Sequence, residues 1–447
     1  MTTPVAEGQD TFLAEHARFM RGRGEAAPAW LKAAREKARD AFQNAGFPTT
    51  RQEEWRFTNV SAIASTPFKL AEGTPINHAP LVSRVAVPGA IRLVLLNGRF
   101  APELSDLTQI PVGLKVGSLA AAIAQGAPEC SALGQQPVDG LPFLALNTAF
   151  LEDGALISVR KGAVIETPVH IIAITGGTGK TMVHPRVLVA AGAGSQCSLA
   201  VSFLTSAGEA HFTNAVIEAT VADQGIVNCC LDQRGTEGSF LLTNLHVNAS
   251  RDSSFKVRTI TLGGRLVRND ATAVLAGEGA HVDIDGCYLA DGSSLVDNHT
   301  TIDHASPHCT SHELYKGILD DRAKAVFNGR IIVRLDAQKT DSKQTNRALL
   351  LSDEATMNSN PQLEIFADDV KCTHGAAVGQ LDEEAMFYMQ ARGLNVKDAR
   401  DMLIHAYAGE VLERIAIPQL RAQLERELFR QLDRDLAAHD LAAHDRA

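Results

Sequence analysis

Cys372 and His374 stand two positions apart in "ADDVKCTHGAAVG" (367–379), directly ahead of a glycine. In an extended strand, residues i and i+2 share a face about 7 Å apart, so both side chains could address one ion or one partner surface, with Lys371 pointing the other way. Three chemistries suit the pair. It could be half of a metal or iron–sulfur site, a nucleophile beside its base, or a cysteine packed in a core. Iron–sulfur clusters usually take four thiolate or imidazole ligands. The chain has no C-x-x-C, so a self-contained permanent cluster is not expected, and a cluster shared with a second protein stays open.

Other stretches carry ligand-type residues. "DNHTTIDHASPHCTSHE" (297–313) holds His304, His308 and His312 four apart, with Cys309 between. Pro307 argues against a helix that would align them, and the alternative is a run of polar turns. Cys229 and Cys230 are adjacent, so in a strand they face opposite sides and read as packing residues. "ITGGTGKT" (174–181) resembles a phosphate-binding loop, but Ile174 stands where the first glycine is required. The following "MVHPRVLVAAG" reads as a strand, so no helix N-terminus supplies donors. The expectation there is a glycine-rich hairpin with no bound nucleotide.

The elements that must position these residues change period along the chain. Residues 1–85 read as a helical region, with "TFLAEHARFMRGRGE" and "APAWLKAAREKARDAFQNAGFP" apolar at helical spacing and the second ended by Gly46 and Pro48. From about residue 86 to 382 short apolar segments alternate with small or acidic turns: "VAAGAGSQCSL", "VADQGIVNCCL", "VNASRDSSFKVR", "VLAGEGAHVDIDG", "ILDDRAKAVFNG", "IFADDVKCTHG". Strands of about 3–6 residues with one recurring turn and no crossover helices predict a mainly β fold, a β-solenoid core. An excursion about 115–150 contains a short helix. Residues 383–447 return to helical period, and these helical ends would cap the stack or dock partners.

The composition narrows the function. The chain has 447 residues, a net charge of −10 and 5% aromatic residues. No basic run points to nucleic acid, and few aromatics are available for stacking bases or sugars. Seven cysteines, an odd number, together with a start lacking an apolar leader core, predict free thiols in a reducing cytoplasmic setting. No apolar run reaches the length of a membrane span.

Long connected segments resemble the SufB/SufD family of iron–sulfur cluster assembly proteins. They are "RQEEWRFTNV" (51–60), "SPHCTSHELYKGILDDRAKAVFNGRIIV" (306–333) and "QTNRALLLSDEATMNSNPQLEIFADDVKCTHGAAVGQLDEEAMFYMQARGL" (344–394). The first cysteine is Cys130, so the cysteine cluster found near the start of many SufB proteins is missing, and the resemblance is to the SufD side of the family. It implies a right-handed parallel β-helix between helical ends, paired with SufB through the β-helix and with the ATPase SufC through the C-terminal helices. It implies a non-catalytic scaffold on which a transient Fe–S cluster forms at the SufB interface, driven by SufC. The family's "KC-x-HG" maps onto Cys372 and His374, with His374 as cluster ligand and Cys372 in support. The isolated chain could also form a homodimer through an unpaired β-helix edge. Two alternatives are a self-contained metallochaperone using Cys372, His374 and the histidines of 304–312, and a β-helix carbohydrate-active enzyme using Asp283, Asp285, Asp291 and Asp297.

Overall fold

The computed structural model describes residues 4–72, 78–134 and 136–444. Its centre is a parallel β-solenoid of two sheets that alternate along the chain. One sheet runs through Gly154–Val159, Arg186–Ala191, His211–Val221, Ser239–Ala249, Leu266–Leu275, Leu295–His304, Lys324–Val333 and Thr356–Ile365. The other runs through Ile91–Leu96, Val169–Thr175, Gln196–Thr205, Ile226–Arg234, Ser254–Leu262, His281–Ala290, Thr310–Leu319, Asp341–Leu350 and Lys371–Gly379. The strands from Gln196 onward have 9 to 11 residues, longer than the apolar segments suggest. Pairing continues through the polar positions that flank each apolar segment, because a strand covered on both faces satisfies its backbone wherever the register holds.

The recurring turn has a backbone cause. Gly194, Gln224, Asp252, Gly279, His308 and Lys339 all adopt positive φ, between 53° and 72°. Each donates its N–H to a carbonyl of the next turn, as in Gln224 to Arg251 (2.8 Å), Asp252 to Glu278 (2.9 Å) and His308 to Gln338 (2.9 Å). The ladder therefore continues around the corner, and small or polar residues tolerate the left-handed conformation.

Between the sheets lies an apolar core that includes Leu199, Val227, Phe255, Val257, Val282 and Ile284. Two tyrosines lock neighbouring turns there. Gly286 pairs with Tyr315, and Tyr288 with Gly317. A Cβ at Gly286 would come within 2.4 Å of the Tyr315 ring, and one at Gly317 within 2.3 Å of Tyr288. Each glycine leaves the room its neighbour's ring fills.

The helical ends do not close the solenoid axially; they cover its flanks. Phe12, Phe42, Phe47, Phe68, Phe143 and Phe150 pack with Phe212, Phe240 and Leu266 on the outer face of the first sheet. On the second sheet, Ile404, Ala408, Leu412, Leu420 and Leu424 of the C-terminal helices cover Cys230, Ile260, Cys287, Leu314 and Ile318. Each helix needed a broad apolar face to bury, and a sheet flank offers far more than the end of a stack. The segment 174–181 is not a hairpin, because the strands on either side belong to different sheets. No helix among the described residues is long and apolar enough to cross a membrane.

Candidate functional site

Among the described residues, Lys371–Gly379 is the terminal strand of its sheet and pairs only with Asp341–Leu350. Cys372 lies in register with Ser342 and His374 with Gln344, both buried. The pair thus continues the inward-facing columns of the solenoid, and among the described residues no further strand covers it. Cys372 is half-buried and His374 exposed. Cys372 packs against Ile331, Val333, Ala337 and Ala367. Burial, and after it the charge of Asp341, push its thiol upward. That is the wrong direction for an activated nucleophile, so the nucleophile–base reading loses its chemistry. Val378 on this strand and Phe366, just after Thr356–Ile365, are exposed, 49% and 60% respectively.

Below the pair the core changes character. One inward column reads Leu199, Cys229, Val257, Ile284, then Glu313, Gln344 and His374. Its neighbour reads Cys197, Val227, Phe255, Val282, then Ser311, Ser342 and Cys372. Gln344 Nε2 donates to Glu313 Oε2 at 2.7 Å. Ser311 Oγ sits 2.9 Å from His304 Nε2 and 2.7 Å from Ser342 Oγ. Burial pushes the Glu313 carboxyl up to about 7 and the His304 imidazole down to about 4. Both are therefore held toward their uncharged forms in a core with little solvent to stabilise charge. The sequence alone does not single out Glu313 and Gln344. Their signal is polarity at inward alternate positions, which becomes visible only once the register is known.

The histidines of 304–312 do not meet. His304 points inward, His308 occupies the left-handed turn position, and His312 is exposed on the outer face. Cys309 is buried and its Sγ donates to Gly277 O at 3.3 Å. The metallochaperone set is thus dispersed over inside, corner and outside. The acidic set is dispersed too: Asp283 and Asp285 lie on one sheet, and Asp297 on the other under the N-terminal lobe. Cys229 joins the inner core and Cys230 the outer one beneath the C-terminal helices, as adjacent strand residues must.

The segment 51–60 has a different task. Arg268 lies over the Trp55 ring at 3.7 Å and donates to Glu54 O at 2.9 Å. It pairs with Asp297 at 2.7 Å and Asp270 at 2.8 Å, while Thr58 Oγ1 donates to Asp297 at 2.5 Å. His299 bridges Asp297 (3.0 Å) and Glu54 (3.2 Å). Burial alone would lower its imidazole, but Asp297 and Glu54 outweigh that and raise it to about 9. This buried cluster clamps the N-terminal lobe to the solenoid.

The family model for the SUF system FeS cluster assembly SufBD core domain matches residues 173–407, and that for the SufBD protein N-terminal region matches 14–171. The chain is 31% identical over 402 residues to an iron–sulfur cluster assembly SufBD family protein of Synechocystis, covering 87% of this chain and 88% of the other. It is 30% identical over 382 residues to the iron–sulfur cluster assembly protein SufD of Escherichia coli, covering 85% and 88%. Against SufD of Bacillus subtilis it is 24% identical over 418 residues, covering 89% and 93%.

Proposed function

Because this chain belongs to the SufBD family of iron–sulfur cluster assembly proteins, we propose that it is a SufD-type scaffold subunit that pairs with SufB through the strand Lys371–Gly379. The observation that carries the reading is the placement of Cys372 and His374 on that terminal strand, inward-facing yet uncovered. A partner strand added to this edge would extend the sheet by one strand and bring its own side chains over the pair.

In this reading the cluster is cargo. His374 supplies one ligand through its exposed imidazole, Cys372 supports it, and SufB supplies the rest. The chain itself is non-catalytic. ATP hydrolysis belongs to SufC, which docks on the C-terminal helical region, where Phe387, Tyr388 and Met402 are exposed. Large apolar side chains left in solvent on helices are what a partner surface would cover.

The pairing can be tested at the backbone. Lys371 N–H donates to Thr340 O, so by alternation the N–H groups of Cys372, His374 and Ala376 face the open edge. Ala376→Pro removes one outward donor and leaves the inner ladder in place. Co-expressed with SufB and SufC, this variant should fold and still bind SufC but lose SufB. A variant that retains SufB at the wild-type ratio contradicts pairing through this strand.

A further inference from the structure

The outer face of the second sheet carries a group that the assembly role does not use. His281 and Asp283 share a face of one strand, and His312 is the cross-strand register partner of Asp283. One ligand atom from each lies within 4.8 Å of the others. His281 Nε2 is 2.9 Å and His312 Nδ1 3.6 Å from the same oxygen, Asp283 Oδ1.

We propose that His281, Asp283 and His312 bind a divalent first-row transition-metal ion. Two imidazoles and one carboxylate suit such ions, with metal–nitrogen and metal–oxygen distances of about 2.0–2.2 Å. The 2.9 and 3.6 Å from the two ring nitrogens to Asp283 Oδ1 are separations that ligands of one ion at those distances span. The surroundings favour binding in this orientation. His281 Nδ1 is 2.7 Å from Thr310 Oγ1, its register partner's hydroxyl. With the proton on Nδ1 and donated to that hydroxyl, the Nε2 lone pair faces Asp283 and is free for an ion. The other carboxylate oxygen, Oδ2, is held by Arg258 Nη2 at 3.3 Å and Lys256 Nζ at 3.8 Å. These contacts fix the carboxylate plane and leave Oδ1 turned toward both rings.

Charge is arranged to permit a cation. Asp283 lies between the two rings, so its carboxylate supplies the one negative ligand beside two neutral imidazoles. Arg258 is shared with buried Asp285 at 3.0 Å, and Arg414 also pairs with Asp285 at 3.2 Å. Lys343, the register neighbour of His312, is exposed and can turn away. His312 is itself exposed, so the ion has direct access and keeps solvent in its open positions.

This site is distinct from Cys372 and His374, and its test is arranged to keep them apart. Untagged full-length chain carrying Cys372→Ser and His374→Ala is titrated anaerobically with Co2+ and followed by visible d–d absorption and equilibrium dialysis. One equivalent bound, and its loss in the same background with His312→Ala or with His281→Gln, is the expected result. Zn2+ should displace the Co2+ signal. His312 is on the surface, so its removal should leave the thermal midpoint unchanged without metal and abolish only the metal-induced rise. No bound equivalent in the background chain, or one equivalent retained after His312→Ala, overturns the proposal.

Discussion

Trp55 lies face-on against the Arg268 guanidinium, with 3.7 Å from the guanidinium carbon to the ring centroid. Arg268 is buried and its charge is met by Asp270 and Asp297. The aromatic face and the carboxylates together replace the water lost to the guanidinium. Trp55→Ala should therefore destabilise the chain by about 3–5 kcal/mol, and Arg268→Ala by a similar amount because buried Asp297 would keep only His299 and Thr58 as partners and lose the guanidinium. Chemical denaturation of both variants checks this. The double variant should cost less than the sum, since the two residues share one interaction.

The same cluster gives a pH dependence. The His299 imidazole is raised to about 9 in the folded chain, against an ordinary value of about 6.5. Folding therefore takes up a proton between these values, and stability falls as pH rises from about 6.5 through 9, by about 3 kcal/mol. Thermal midpoints measured across that window should decline in the wild type and flatten in His299→Gln. An equal decline in both would assign the effect elsewhere.

Gly317 makes room for the Tyr288 ring. Gly317→Ala places a methyl group where the fully buried Tyr288 ring lies. The expected cost is about 1–3 kcal/mol by overpacking. Gly317→Ala combined with Tyr288→Phe, which removes the hydroxyl oxygen 2.4 Å from the added Cβ, should recover part of it.

Cys372 is half-buried, and the other six cysteines are buried. Thiol-directed reagents under native conditions should modify Cys372 first, and Cys372→Ser should remove that phase. The rate at pH 8 should fall below that of a free thiol, because burial and Asp341 both disfavour the thiolate. Asp341→Asn should increase it.

Much of this fold can be read from residues alone. The recurring small or acidic turns mark the corners, where Gly194, Asp252 and Gly279 take the left-handed conformation that glycine and aspartate accept more readily than most residues. The split of Cys229 and Cys230 follows from strand alternation. What the chain order hides is register. Turn lengths vary, so partners such as Ser254 with His281 and Lys324 with Thr356 are separated by different stretches. Without that register, Glu313 and Gln344 cannot be seen beneath His374, nor His281 beside His312. The helical ends also read as caps, since amphipathic faces do not reveal which surface they cover. The role of 51–60 as a clamp depends on Arg268, Asp297 and His299, more than 200 residues away in the chain.

The central claim is that the exposed imidazole of His374 serves a cluster completed by SufB. The direct measurement is iron and acid-labile sulfide in the assembly purified anaerobically after co-expression with SufB and SufC, compared between wild type and His374→Ala. His374 is exposed, so the variant should fold and assemble normally. The account predicts an intact assembly that has lost its iron and sulfide. An intact assembly with unchanged iron and sulfide would contradict it and leave the cluster chemistry to SufB alone.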